Sequence, residues 1–242
     1  AVDSPMDLSF DFPWAPPRNP STLVLTASFD KSLYEHYGDV MGDAANEFGV
    51  GYWLAPAINI LRNPCGGRCR DYASEDPYLS GIYAKYVIDG VNKHGVAAVL
   101  KHFCANNTEF ERLKSNSRVS ERALREIYMK AFEIAVKNTD VAGIMTSYNS
   151  VNGRKVCVDR TLVTDIPREE WNWNGAFMTD WWNDTRHVDE IAAGHDIKMT
   201  NGDIDGVVRA LENGELTREQ AYTCARRVIG LLLKLKAVRD SF

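Results

Sequence analysis

The sequence lacks an excess of positive charge, a long apolar run and a regular set of cysteines. Its 242 residues carry 28 Lys and Arg against 33 Asp and Glu, a net charge of −5, so nucleic acid and anionic membrane surfaces are disfavoured as partners. No apolar stretch approaches the ~20 residues of a membrane span. Five cysteines in a chain of this length do not resemble a disulfide framework. We therefore expect reduced thiols and a cytoplasmic protein that binds neither nucleic acid nor a membrane. Secretion is the alternative, because the chain begins at Ala1 rather than Met.

Short apolar runs alternate with longer amphipathic runs along most of the chain. The first twenty residues contain five prolines, which predict no long helix there. Beyond them, strands are predicted over residues 52–55, 97–100, 142–146, 176–179 and 196–199, and helices over 31–48, 78–93, 120–138, 203–212 and 217–236. This alternation is typical of a parallel sheet covered by helices. Because the length is close to the roughly 250 residues of an α/β barrel, we predict one domain over residues 1–242. Its fold class is α/β, a (β/α)8-like TIM barrel that is irregular or incomplete at its first strands.

Polar residues directly follow three of the predicted strands. Lys101 and His102 come after 97–100, Tyr148 after 142–146, and Asp180 after 176–179. The active site of a barrel lies at the carboxyl ends of its strands. Three such groups from three strands therefore predict a functional site at this edge.

Asp180 follows an apolar run and precedes two tryptophans, Trp181 and Trp182. A carboxylate in this setting suits a sugar site, because the apolar face of a pyranose packs on indole while its hydroxyls bind charged acceptors. The alternative is structural: an aspartate that caps the next helix while the tryptophans fill the core.

Other polar motifs have both a functional and a structural interpretation. The glycines of residues 63–68 permit a sharp turn, after which Arg68 could clamp two hydroxyls or orient a carboxylate. For Glu75 and Asp76 we favour a structural role, since Ser-Glu-Asp-Pro at 74–77 is typical of a helix start. The pair Lys101-His102 offers donors to sugar hydroxyls, but a Lys-His pair at a strand end is often only solvated.

A metal site is the weakest interpretation of the histidines. His187, Glu190, His195 and Asp196 are possible ligands, but their spacing lacks the His-Glu-x-x-His arrangement. We expect no metal and no organic cofactor, and a metal-dependent barrel hydrolase is the least favoured alternative function.

Taken in order, these segments resemble glycoside hydrolase family 3, the family of β-glucosidases, β-xylosidases and β-N-acetylglucosaminidases. The match covers nearly all of residues 50–200. It runs through LAPAINILRNP (54–64), GR (67–68), SEDPYLSG (74–81), KHF (101–103), NNTE (106–109), SERALREIY (120–128), MTSYN (145–149), NG (152–153), EW (170–171), TDW (179–181) and AGHD (193–196).

The resemblance implies roles for the matching positions. Asp180 is the implied nucleophile, which forms a glycosyl-enzyme. The resemblance implies that Arg68, Lys101 and His102 bind hydroxyls of the sugar in the −1 subsite. It also implies that Tyr148 and Met145 lie near the nucleophile and that Trp181 lines the pocket. Asp3 corresponds to the aspartate of the family's Asp-Gly-Pro motif, which holds the distal hydroxyls.

The resemblance also has gaps. Asp71 stands where the family has glutamate, residues 171–173 read Trp-Asn-Trp instead of Trp-Gly-Phe, and Asp7 replaces a common glycine. The second α/β domain, which carries the acid/base glutamate in two-domain members, is absent from this chain. Single-domain members carry a His-Asp pair after Lys-His-Phe, but here residues 104–107 read Cys-Ala-Asn-Asn. The acid/base within this chain is therefore unknown.

We predict a retaining, β-glucosidase-like glycoside hydrolase that releases a terminal β-linked sugar through a glycosyl-enzyme on Asp180. Its expected partners are a β-linked glucoside or related oligosaccharide, and an α/β domain or subunit that supplies the acid/base. Glucose is favoured because Asp3 and Lys101 could hold an exocyclic hydroxyl. The alternatives are a sugar-binding pseudoenzyme, a fragment, or one subunit of a split enzyme.

Overall fold

A five-stranded parallel sheet forms the centre of the molecule. The structure is a computed structural model that describes residues 2–3 and 19–235. The strands within these residues are β1 (Val2–Asp3), β2 (Tyr52–Leu54), β3 (Ala97–Phe103), β4 (Asn116–Ser117), β5 (Gly143–Thr146), β6 (Ser150–Val151), β7 (Arg154–Lys155) and β8 (Ala176–Thr179). The central sheet has the order β1-β2-β3-β5-β8, and β4, β6 and β7 form a small second sheet.

All neighbouring strands of the central sheet run parallel, so their carboxyl ends share one edge. Residues 143–146 of β5 pair in register with 176–179 of β8. Beyond β8, Ile197 forms a single parallel bridge with Met178. The strand predicted over 196–199 is therefore wrong in extent, and only this bridge represents it. The architecture is α/β and TIM-barrel-like, as predicted.

Helices cover the sheet. They are α1 (Thr22–Thr26), α2 (Lys31–Glu47), α3 (Pro77–Asn92), α4 (Glu121–Ala123), α5 (Lys130–Asn138), α6 (His187–Ala193), α7 (Ile204–Glu212) and α8 (Arg218–Lys234). The helix predicted over 120–138 is interrupted, because the π-helix Leu124–Tyr128 separates α4 from α5. A second π-helix, Thr161–Glu170, was not predicted; it contains Pro167.

Local signals explain where the main helices start and how they pack. Asp76 caps α3 by accepting hydrogen bonds from the backbone N–H groups of Tyr78 and Leu79, which confirms its structural role. Helices α2 and α3 approach closely, since a Cβ at Gly38 would collide with the carbonyl of Val87. In the part of the chain that the structure describes, no helix is long and apolar enough to cross a membrane.

The apolar interior has a separate cluster beneath the carboxyl edge of the sheet. It consists of Leu54, Val99, Met145 and Met178, and Trp181 packs against it. The strands β2, β3, β5 and β8 each contribute one of the four buried residues. This cluster forms the floor under the polar residues that follow the strands.

Candidate active site

The carboxyl group of Asp180 lies immediately after β8 and is almost fully buried, with 5% of the residue exposed. Its Oδ1 accepts a hydrogen bond of 2.8 Å from the backbone N–H of Trp181. Its Oδ2 lies 3.9 Å from Nε2 of His102. Burial raises the pKa of Asp180, while the Trp181 N–H and the positive charges of Arg112 and Lys101 act in the opposite direction.

Lys101 and His102 lie within β3 rather than after it. The strand was predicted to end at residue 100, but it continues to Phe103 with a shift of register between Leu100 and Phe103. Asn59 fixes the backbone at this point: its Nδ2 donates to the carbonyl of His102, and its Oδ1 accepts from the N–H of His102, both at 2.7 Å. Both predicted site residues are buried.

The imidazole of His102 is neutral at ordinary pH. Complete burial lowers its pKa well below the usual value, and the positive charges of Arg68, Lys101 and Arg112 lower it further. The contact with Asp180 is therefore not an ion pair. Among the described residues, Nδ1 of His102 has no hydrogen-bond partner. A neutral ring of this kind can donate to or accept from one hydroxyl without neutralising the neighbouring carboxylate.

Arg68 belongs to a network of charged groups on two loops. Its Nη1 lies 2.8 Å from Oδ2 of Asp71, and its Nε lies 2.9 Å from Oε1 of Glu109. Oε2 of Glu109 also lies 2.8 Å from Nη1 of Arg112. Burial acts against ionisation of Glu109, but Arg68 and Arg112 outweigh it and lower the pKa of this carboxyl. Two roles were predicted for Arg68, clamping two hydroxyls or orienting a carboxylate. Its contacts with Asp71 and Glu109 correspond to the second role.

Tyr148 connects this network to the segment after Asp180. The guanidinium of Arg112 lies 4.8 Å from the centre of the Tyr148 ring, a cation–π distance. The Tyr148 hydroxyl donates a 2.5 Å hydrogen bond to the carbonyl of Trp181. Burial and the nearby Asp180 raise the pKa of Tyr148, so it stays a neutral donor.

The structure thus brings Arg68, Lys101, His102, Tyr148 and Asp180 to one edge. Below these residues, Met145 belongs to the apolar cluster described above, and Trp181 packs against that cluster. Asp3 belongs to β1, and its backbone pairs with Leu54 of the adjacent strand β2. The side chain of Asp3 and the whole of Asp7 lie outside the described part of the structure.

Arg112 and Asn59 belong to the site although the sequence analysis did not identify them. Arg112 lies three residues after the matched segment 106–109 but outside it, in a stretch with no periodicity. Asn59 lies inside the matched segment 54–64 but has no chemical signal of its own. Only the tertiary path of the loops brings these side chains to Tyr148 and His102.

The candidate metal ligands have separate structural contacts. Glu190 binds Nζ of Lys198 at 2.7 Å, and Nε2 of His195 lies 3.0 Å from Oγ1 of Thr146. Asp196 forms ion pairs with two arginines, Arg168 at 2.7 Å and Arg227 at 3.2 Å. Within residues 2–3 and 19–235, no three His, Cys, Asp or Glu residues form a group that could hold a metal ion.

The site thus consists of the buried Asp180 carboxylate, one oxygen of which is held by a backbone N–H, and the groups around it. These groups are the neutral imidazole of His102, the cations Lys101 and Arg112, and the indole of Trp181. Neighbouring positive charges stabilise the charge of Asp180, and no arginine or lysine among the described residues pairs with it directly. Such a carboxylate can act as a nucleophile. The donors and the aromatic surface around it match the two faces of a sugar.

The chain is similar to known proteins over most of its length. Residues 15–231 match the description "Glycosyl hydrolase family 3 N terminal domain". Beta-glucosidase A of Butyrivibrio fibrisolvens is 38% identical over 221 residues, which is 90% of this chain and 27% of that protein. Exo-alpha-(1->6)-L-arabinopyranosidase of Bifidobacterium breve is 40% identical over 219 residues, 90% of this chain and 29% of that protein.

A solved structure shares the fold. Beta-glucosidase 3B from Thermotoga neapolitana in complex with glucose superimposes with a TM-score of 0.93 at 36% identity, over 99% of this chain and 36% of that chain. The chain therefore spans roughly a quarter to a third of the length of these proteins.

Proposed function

Because this chain belongs to glycosyl hydrolase family 3, we propose that it is the nucleophile-bearing part of a retaining β-glycosidase. The observation that carries the proposal is the buried Asp180 carboxylate at the carboxyl edge of the sheet, with Trp181 and a neutral His102 beside it. Asp180 is the proposed nucleophile, and Arg68, Lys101, His102, Tyr148 and Trp181 surround the sugar.

The first chemical step uses the two oxygens of Asp180 differently. The N–H of Trp181 holds Oδ1, which leaves Oδ2 to attack the anomeric carbon. A carboxylic acid protonates the departing oxygen, and the same group then activates the water that hydrolyses the ester. Lys101 and Arg112 favour the ionised form of Asp180 that the attack requires.

The acid/base is proposed to come from outside these residues. Retention requires the two carboxyl groups to stand about 5–5.5 Å apart, so an α/β domain or subunit would close over the edge of the sheet. Glu109 is a poor candidate for this role, because two arginines hold it as a carboxylate and lower its pKa. A general acid needs a raised pKa.

The proposed substrate is a β-linked glucoside or a related oligosaccharide. Relatives of similar identity are named as a beta-glucosidase and as an arabinopyranosidase, so the family alone does not fix the sugar. A sugar-binding pseudoenzyme, or one subunit of a split enzyme, is the second candidate. The engagement of Glu109 by arginines is compatible with this candidate as well as with an external acid, since this carboxyl is unsuited to protonating a leaving group.

The test compares leaving groups. General acid catalysis contributes about 10²–10⁴-fold, and dinitrophenolate departs without it. The 242-residue chain should therefore cleave dinitrophenyl β-glucoside measurably and leave cellobiose nearly untouched, and azide should accelerate turnover by replacing unactivated water. Ordinary rates on cellobiose, insensitive to azide and lost in Glu109→Gln, would contradict an external acid. No glycosylation of the chain by any activated glucoside, together with sugar binding, would instead favour the pseudoenzyme.

A further inference from the structure

Two of the five cysteines differ from the others in their access to solvent. Cys65 is exposed and Cys69 is half-buried, whereas Cys104, Cys157 and Cys224 are buried. Burial raises the pKa of each of these last three thiols, so they stay protonated, and a protonated thiol without solvent access is inert. Reactions at sulfur are therefore open to Cys65 and Cys69.

The thiol of Cys69 folds back onto the residue that precedes Cys65. Its Sγ donates a hydrogen bond of 2.6 Å to the carbonyl oxygen of Pro64. That carbonyl and the Cα of Cys65 belong to one planar peptide unit, so the Cys69 sulfur lies beside the backbone of Cys65. A disulfide needs Cα atoms about 4.4–6.8 Å apart, and a sulfur already beside its partner's backbone indicates a pair close to this range.

The backbone between the two cysteines is a turn that other groups hold in place. The N–H of Cys65 donates to Oδ1 of Asn63 at 2.8 Å, and the N–H of Gly66 donates to the Asn63 carbonyl at 2.9 Å. The carbonyl of Gly66 accepts a hydrogen bond of 3.1 Å from the N–H of Glu109. The intervening residues 66–68 read Gly-Gly-Arg, and the two glycines allow the small backbone adjustment that joining the sulfurs requires.

We propose that Cys65 and Cys69 are a dithiol site for a low-molecular-weight disulfide such as glutathione disulfide, which converts them to an intraloop disulfide that restrains the loop around Arg68. The Cys65 thiolate attacks one sulfur of glutathione disulfide, forms a mixed disulfide and releases one glutathione thiolate. The Cys69 thiolate then attacks Sγ of Cys65 and releases the second. Two protons and two electrons pass from the protein thiols to two glutathione molecules. This inference is independent of the proposed function.

The disulfide encloses Arg68 in a ring of five residues. The Arg68 guanidinium contacts Asp71 and Glu109, so the restrained loop is one that links two segments of the fold. Closing a loop removes conformations from the unfolded chain. For five residues in a protein of this size, the oxidised form should have a Tm about 4–8 °C above that of the reduced form.

The test combines peptide mapping with thermal unfolding. The 242-residue chain is equilibrated in buffers of reduced and oxidised glutathione, alkylated and digested with trypsin. Cleavage after Arg62, Arg68 and Arg70 separates the two cysteines, so the intraloop bond appears as peptide 63–68 joined to peptide 69–70. This species should form in oxidised wild type, disappear in excess reduced glutathione and accompany the rise in Tm, while the three buried thiols stay unmodified.

Cys65→Ser and Cys69→Ser are the matched controls. Serine at position 69 keeps a donor for the Pro64 carbonyl, so the reduced Tm should stay near that of wild type. Each variant lacks the second thiol that would displace glutathione. Each should therefore keep one glutathione on its remaining thiol and lack the rise in Tm on oxidation.

Three results would overturn the inference. A lasting glutathione adduct on wild type without the joined peptides would show that the two sulfurs do not meet. Peptide 63–68 joined to itself would make Cys65 a link between two chains. The joined peptides without a higher Tm would show that the bond does not restrain the loop.

Discussion

At the scale of single residues, burial of Asp180 has opposite effects on chemistry and on stability. A desolvated carboxylate is a stronger nucleophile, but its ionisation inside the protein costs free energy. The raised pKa of Asp180 means that the protonated form stabilises the fold at low pH. This contribution is fully present below the ordinary pKa of about 3.9 and is lost as the pH rises through the raised, folded-state pKa.

Asp180→Asn should abolish turnover and stabilise the fold at neutral pH. The amide keeps an acceptor for the Trp181 N–H, cannot form an ester, and carries no charge to desolvate. The difference in Tm between variant and wild type should be small at pH 4 and grow toward pH 7, by about 2–4 °C for each kcal/mol relieved. Thermal unfolding at several pH values measures this. A Tm that falls at pH 7 in the variant would mean that the carboxylate is a stabilising group.

The two β3 residues should contribute unequally to sugar binding. Hydrogen bonds to charged groups are worth about 1.5–3 kcal/mol and neutral ones about 0.5–1.5, and His102 is neutral. Lys101→Ala should therefore weaken monosaccharide binding by roughly ten- to a hundredfold, and His102→Ala by less. Because His102 does not titrate near neutrality, His102→Ala should leave the pH dependence of the Kd between pH 5.5 and 8 unchanged. A titration near pH 6.5 that His102→Ala removes would contradict a neutral His102, and wild-type affinity in both variants would show that the pocket lies elsewhere.

At the scale of elements, the loop of residues 66–68 packs closely against the segment that carries Glu109. Gly67 has φ 90°, and a Cβ there would lie 3.0 Å from Cβ and Cγ of Glu109. A larger residue there requires the side chain of Glu109, whose carboxylate Arg68 and Arg112 share, to shift by a few tenths of an ångström. The glycine is thus required both by its backbone angle and by the approach of the second loop.

Gly67→Ala should destabilise the protein and weaken sugar binding. Gly153→Ala is the matched control, because Gly153 has nearly the same φ, 92°, but none of the described residues lies within 4 Å of its ideal Cβ. Both variants incur the backbone strain of about 1 kcal/mol, while only Gly67→Ala disturbs the Arg68–Glu109 pair. Urea unfolding and sugar titration of both variants check this. Equal effects in the two would show that the loop contact has no energetic role.

The elements were predictable to the extent that they form continuous patterns. The apolar runs at 97–100 and 176–179 are long enough to define β3 and β8, and the amphipathic period of 31–48 defines α2. The extension of β3 through Lys101 and His102 was not predictable, because these polar residues are buried by partners from other segments, such as Asn59. The π-helix of residues 161–170 escaped prediction for a different reason, since it contains Pro167, and proline is disfavoured inside a helix.

The site was predictable mainly from residue type at strand ends. Asp180 and Tyr148 stand where a parallel sheet presents its functional groups, and both come to one edge. Arg112 reaches Tyr148 through a long loop, a contact that no local pattern encodes. The single-domain boundary over residues 1–242 remains a prediction.

At the scale of the whole molecule, the chain carries one half of the proposed chemistry. It spans roughly a quarter to a third of the length of its relatives, and the acid/base is proposed to lie beyond it. Such a division separates two roles rather than two steps. Asp180 is proposed to form the ester, whereas the second carboxyl is proposed to protonate the leaving oxygen in that first step and to activate water in the second. A substrate that needs no protonation can therefore isolate the role of this chain.

The most direct measurement of that role uses 2,4-dinitrophenyl 2-deoxy-2-fluoro-β-D-glucopyranoside with wild type and Asp180→Asn. Its leaving group departs without an acid, and the fluorine slows hydrolysis of the ester, so a glycosyl-enzyme accumulates. Mass spectrometry of the digested wild type should find one fluoroglucosyl group, on Asp180 within residues 169–186, and none on the Asn variant. Attachment to Glu75 or Glu109, or label that persists in Asp180→Asn, would contradict the assignment of Asp180 as the nucleophile.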